Sequence, residues 1–208
     1  MAIHRSRGYQ LNLIARTESA WSAGHNHVMI VLPTGGGKTH VVSVLVERSG
    51  VPAACVAHRS ELVGQMSQAL AREGVYHRII GSDALRRNVV AAHVAEFGRS
   101  YYQPNSRTAV CSVDTLLRIP KTDPWLQSVG LVVIDEGHHV LKTNKWGRAF
   151  ALFPRARCLA PTATPTRADG ITSAIAVATN SVTAELRMVP NQPLSFHGEA
   201  KQRVEDEI

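Results

Sequence analysis

Residues 33–39 read Pro-Thr-Gly-Gly-Gly-Lys-Thr, three glycines followed by an ammonium and a hydroxyl. That set suits a phosphate chain held beside a divalent cation. Gly35, Gly36 and Gly37 carry no Cβ, so backbone N–H groups can form a concave nest and approach phosphate oxygens closely. Lys38 supplies a mobile positive charge for the β- and γ-phosphates, and Thr39 a hydroxyl suited to Mg²⁺. A second set follows at Asp135-Glu136. Asp135 is placed to hold Mg²⁺ through its water shell, and Glu136 to act as general base on an attacking water. A phosphotransferase using the same loop has no need of the second acid, so the pair favours hydrolysis. Taken singly, the loop could be an ordinary glycine-rich turn and the acids a helix cap. Together they form a nucleotide site.

The elements that must position these residues alternate between strand and helix. Val28 to Leu32 is an apolar, β-branched run that feeds the loop, and Lys38 to Ser49 reads as the helix whose positive dipole end faces the same anion. Leu131 to Ile134 is a continuous apolar run, as expected of a parallel strand buried on both faces, and it delivers Asp135 at its carboxyl end. Further strands are expected over 51–57, 77–81, 107–112 and 157–160. A helix over 7–24 is expected to bury Leu11, Ile14 and Ala15, and Ser60 to cap a helix over 60–73. Ala84 to Gly98 reads as a helix with Arg86, Arg87 and His93 on a basic face, and a further helix is expected over 145–153. His25-Asn26-His27 reads as a turn. This alternation argues for an α/β fold with a doubly wound sheet and loops collected at the carboxyl ends of the strands.

The chain has 208 residues, 44% hydrophobic, with a formal net charge of +7 and a sequence pI near 9.8. That is enough apolar content for a packed core, and the basic balance points to an anionic partner such as nucleic acid. Cys55, Cys111 and Cys158 lie far apart, each inside an apolar run, and read as buried thiols in a reducing compartment. Neither a paired CxxC nor a Cys/His ligand spacing is present, so no zinc site is expected. The sequence contains no apolar run of membrane-spanning length, and the first ten residues lack the apolar core of a signal peptide. The expectation is a cytoplasmic protein without a membrane partner.

The Pro-Thr-Gly-Gly-Gly-Lys-Thr loop, which lacks the leading Gly of the strict P-loop pattern, resembles motif I of the superfamily 2 helicases and translocases. The resemblance extends in order from Tyr9 to about Arg167. Tyr9-Gln10 resembles the adenine-recognition element, and an amide offers the donor and acceptor needed to read the N6/N7 edge of adenine. Ala57 to Gln65 resembles motif Ia and Cys111 to Arg118 motif Ib, which implies phosphate-backbone contacts from Arg59, Ser60, Thr115 and Arg118. Ile134-Asp135-Glu136-Gly137-His138-His139 resembles the Asp-Glu-x-His box, with Gly137 where Ala is commonest. His138 then couples the nucleotide site to motif III. Thr162-Ala163-Thr164-Pro165-Thr166-Arg167 resembles motif III in the form found in DNA translocase, repair and type III restriction branches, with Thr162 and Thr164 as coupling residues. Pro161, where the family has another residue, removes a backbone donor at the strand end.

The resemblance implies a RecA-like P-loop NTPase fold, a mostly parallel central sheet with helices on both faces, over residues 1–170. Residues 171–208 are expected to be an extension or linker, with no counterpart of a second motor domain. Its activity would be Mg²⁺-dependent ATP hydrolysis coupled to nucleic acid, DNA ahead of RNA. Pro33, Thr34, Gly35, Gly36, Gly37, Lys38 and Thr39 would hold the nucleotide. The arginine finger would come from a second RecA-like domain, in another chain or in a longer parent. A non-hydrolysing nucleic-acid-binding or regulatory module on the same fold is the second reading, and a P-loop ATPase that remodels protein is the third.

Overall fold

In the computed structural model, residues 6–135, 144–163 and 183–187 are described. Through them run α1 (Gly8–Ser22), β1 (His27–Val31), α2 (Lys38–Ser49), β2 (Ala53–Ala57), α3 (Ser60–Arg72), β3 (Arg78–Ile80) and α4 (Asp83–Phe97). After these come β4 (Ala109–Ser112), α5 (Val113–Leu116), α6 (Pro124–Ser128), β5 (Leu131–Ile134), α7 (Lys145–Phe150), β6 (Arg157–Thr162) and β7 (Thr183–Arg187). The strands form one seven-stranded sheet in the order β3-β4-β2-β5-β6-β1-β7. Every pairing between them is parallel, so all the strands end at the same edge.

Strand side chains alternate between two apolar layers, as a pleat with a period of two requires. Val28, Ile30, Cys55, Val110, Leu131, Val133 and Leu159 face Leu13 and Ile14 of α1, Val41 and Leu45 of α2, Val63, Met66 and Leu70 of α3 and Leu85 of α4. Their neighbours Met29, Ala54, Val56, Cys111, Val132, Ile134 and Cys158 face the opposite way, onto Val113 and Leu116 of α5, Trp125 of α6, and Trp146 and Ala149 of α7. Both faces are therefore covered, as an all-parallel sheet requires. The three cysteines are buried and free, and burial raises their thiols, Cys55 and Cys158 to about 12 and Cys111 well above the usual range. For Cys55 the charge of Asp135 adds to the effect of burial.

Several local readings are corrected. On α1 the buried residues are Gln10, Leu13, Ile14 and Thr17, while Leu11 is 48% exposed. Ser60 is the first helical residue of α3 rather than its cap: Arg59 takes the N-cap position, and no side chain caps the helix. His93 is fully buried, so it adds nothing to a basic face of α4. The short α6 escapes a pattern-based reading, although it opens on an Asp123 side chain that accepts from Trp125 N and on Pro124 in its first turn. Within the segment read as extension or linker, β7 pairs with β1 in register from His27↔Thr183 to Val31↔Arg187.

Candidate nucleotide and nucleic-acid site

Three strands in the middle of the sheet, β5, β6 and β1, lie side by side, and their carboxyl ends carry Asp135, Thr162 and the glycine-rich loop. Adjacent strands are about 4.8 Å apart, so the base of the loop and Asp135 lie roughly two strand spacings from each other, with β6 between them. The loop is anchored at its base by Leu32 N donating to Thr162 O at 3.0 Å. On the other side the β5–β6 register stops at Val133↔Leu159. Pro161, two residues beyond Leu159, has no N–H with which to continue that ladder. Asp135 instead donates its backbone N–H to Val56 O at 3.1 Å, on the β2 side. The ladder between β5 and β6 thus ends short of the acid.

The loop itself turns on two glycines in the left-handed region, Gly35 and Gly37, both at φ +79. Gly36 N donates to Pro33 O at 3.0 Å, closing a turn. Gly37 is also the N-cap of α2, so the helix begins at Lys38, directly after the loop. Pro33, Thr34 and Gly35 are exposed, and Lys38 and Thr39 half-buried. Among the described residues no carboxylate pairs with the Lys38 ammonium. A Cβ on Gly35 would meet nothing within 4 Å, so open space lies on that side of the loop. An open, glycine-lined turn with an ammonium at a helix start has the chemistry to cradle an anion.

Tyr9 and Gln10 lie against this loop. The Tyr9 hydroxyl and Gln10 Nε2 both donate to Gly36 O at 3.1 Å, and Gln10 Oε1 accepts from Arg7 N at 2.8 Å. Gln10 is 5% exposed. The amide keeps one N–H and one lone pair beyond these bonds. The structure therefore brings Tyr9 and Gln10 to the glycine loop, where sequence reasoning placed them only in order along the chain.

The residues expected to contact nucleic acid gather at two neighbouring strand ends. Arg59 and Ser60 follow β2, Thr115 and Arg118 lie in and after α5 behind β4, and β2 and β4 pair up to Ala57↔Ser112. Arg59, Ser60 and Arg118 are exposed and Thr115 half-buried. His58, between β2 and Arg59, meets the Trp146 ring edge-on with centroids 5.8 Å apart. Glu136, His138 and Thr164 lie outside the described residues, as do Gly137, His139 and Arg167. Among the described residues no cluster of His, Cys, Asp or Glu could by itself hold a metal ion, and no helix is long and apolar enough to cross a membrane.

Solved structures share this architecture. The UvsW helicase from bacteriophage T4 superposes with a TM-score of 0.60 at 13% identity, over 87% of this chain and 59% of that one. The Hef helicase domain of Pyrococcus furiosus gives 0.57 at 19% identity, over 88% of this chain and 38% of that one. A hypothetical ATP-dependent RNA helicase from Sulfolobus tokodaii gives 0.54 at 17% identity, over 84% of this chain and 52% of that one. The chain thus spans less than two thirds of the length of each. No curated protein matches it. The profile of the family described as "Type III restriction enzyme, res subunit" matches residues 3–167.

Proposed function

Because the chain belongs to the type III restriction enzyme, res subunit family, we propose that its RecA-like domain is an ATP-dependent helicase or translocase motor domain that hydrolyses ATP with Mg²⁺ and grips a nucleic-acid backbone. The observation that carries this reading is the convergence at adjacent strand ends of the glycine loop with Lys38, which has no carboxylate partner among the described residues, the Thr162 strand end and Asp135. In it, Gly35, Gly36, Gly37 and Lys38 hold the phosphates. Pro33 and Thr34 shape the loop, and Tyr9 and Gln10 bind the adenine from beside it. Thr39 and Asp135 offer a hydroxyl and a carboxylate, hard oxygen donors that suit Mg²⁺. The metal, when bound, neutralises charge developing on the phosphate oxygens. Glu136 orients and deprotonates the water, and His138, Thr162 and Thr164 link the nucleotide to the nucleic-acid side.

Arg59, Ser60, Thr115 and Arg118 contact phosphates, so binding is independent of sequence. The T4, Pyrococcus and Sulfolobus proteins are all described as helicases, which agrees with a nucleic-acid motor. The motif III form of Thr162–Arg167 favours DNA. A second RecA-like domain, in a longer parent or a separate chain, supplies the arginine finger, which is worth about 10³–10⁵ in rate. Single-turnover ATP hydrolysis, with protein in excess so that slow rates are read, tests the proposal with and without DNA. Stimulation by DNA is the expected result. Hydrolysis indifferent to DNA and RNA would favour a motor acting on protein, and ATP binding without turnover a non-hydrolysing module.

A further inference from the structure

The two segments expected to hold phosphates share a neighbour, α7, which carries two cations of its own. α7 packs against α5. Its Trp146 ring meets His58, the residue before Arg59, and its Lys145 Nζ lies 3.4 Å from Asp114 Oδ1, the residue before Thr115. The helix therefore bridges both phosphate-facing segments. Its start is fixed by Asn144 Oδ1, which accepts from Trp146 N at 3.0 Å and Gly147 N at 3.1 Å. Trp146, Gly147 and Ala149 are buried, which turns Lys145 and Arg148 outward, three residues apart and so on one helix face.

Asp114 is out of place on a surface meant for an anion, since it would repel a phosphate bound at Thr115. Lys145 cancels that charge. The pair is open to water, with 42% of the Lys145 side chain and 59% of the Asp114 side chain exposed. An ion pair so exposed is held only weakly, so a phosphate can take the ammonium at little cost. We propose that α7 is a third arm of the nucleic-acid track: Lys145 passes from Asp114 to a backbone phosphate, and Arg148 on the same face takes a second. The inference rests on the nucleic-acid binding proposed above and adds to it a surface that none of the helicase-like motifs covers.

Salt titration of binding to a fluorescent oligothymidylate tests it. Lys145→Met is expected to weaken binding roughly three- to tenfold near physiological salt and to lower the log–log salt slope by about 0.7, the value for one phosphate of a single strand. Arg148→Met should act in the same direction. Asp114→Asn should strengthen binding, both by freeing Lys145 and by removing a charge that repels phosphate, and in that background, where no bare carboxylate remains, Lys145→Met should still weaken binding and lower the slope by the same amount. All three positions are on the surface, so the variants should melt with the wild type. Affinity and slope unchanged by Lys145→Met would overturn the inference, as would a Lys145→Met loss that disappears in the Asp114→Asn background, since repulsion by the bared carboxylate alone would then explain it. Wild-type protein that binds no oligonucleotide would overturn the proposed function itself.

Discussion

At the scale of single residues, the glycine loop separates two constraints that sequence alone merges. Gly35 and Gly37 share φ +79, but a Cβ on Gly35 would meet open space whereas one on Gly37 would lie 2.3 Å from Gln10 Nε2. A left-handed backbone costs an L-residue about 1–2 kcal/mol, and both positions bear that term. Gly37→Ala must in addition push Gln10 off Gly36 O. The expected outcome is a larger fall in melting temperature for Gly37→Ala than for Gly35→Ala, where about 2–4 °C per kcal/mol applies to a chain of this size. Adding Gln10→Ala should shrink the excess, and equal melting temperatures for the two single variants would contradict the close packing of Gln10 on the loop. Local residue types made the loop legible. The Gln10 contact was not, because its partner lies 26 positions along the chain.

At the scale of elements, α3, α4 and the chain around β3 are tied by a buried relay whose direction follows from its ends. His77 Nδ1 lies 2.9 Å from Val75 O and must donate to it, so His77 Nε2 accepts from Ser67 Oγ at 2.6 Å. Tyr101 N donates to His93 Nδ1 at 3.2 Å, which leaves His93 Nε2 to donate to Ser67 Oγ at 3.1 Å. Every group is satisfied with both rings neutral. Burial, the largest cause for each, lowers His93 and brings His77 to about 4, although Glu96 pulls His93 the other way. Unfolded histidine takes up its proton near 6.5, so the unfolded chain binds more protons below that pH. The contribution is complete above about 6.5 and is lost as pH falls toward 4. Urea unfolding should show about 2 kcal/mol less stability at pH 5 than at pH 7 from His77 alone. A transition midpoint that does not move between the two pH values would contradict the neutral relay. The sequence suggested instead that His93 belongs to a basic face with Arg86 and Arg87, since nothing beside it on α4 gives a hint of Ser67 on α3.

At the scale of the whole molecule, the parallel sheet converts a chain order into a place: residues from Tyr9 to Thr162 meet along one edge because every strand points the same way. Long periodic segments and strong punctuation made much of this legible. α2 starts at the loop's last glycine and stops at Gly50, also left-handed, and β5 is an unbroken apolar run buried throughout. Short or weakly patterned elements were not legible. α6 has five residues, and β7 is the short, weakly patterned Thr-Ala-Glu-Leu-Arg, where only pairing with β1 reveals the strand. Lys145 and Arg148 carried no signal either, because their meaning depends on α7 lying against α5.

The central claim is that this edge hydrolyses ATP, and the most direct measurement is Mg²⁺-ATP binding and single-turnover hydrolysis, in the presence of DNA, for the wild type beside Glu136→Gln and Lys38→Ala. Glu136→Gln should bind ATP as the wild type does and lose roughly 10²–10⁴ in rate, the range for a general base. Lys38→Ala should fold normally and bind ATP more weakly, because its lost charge faces phosphate rather than the core. Wild-type hydrolysis matched by Glu136→Gln, with ATP affinity untouched by Lys38→Ala, would contradict the account.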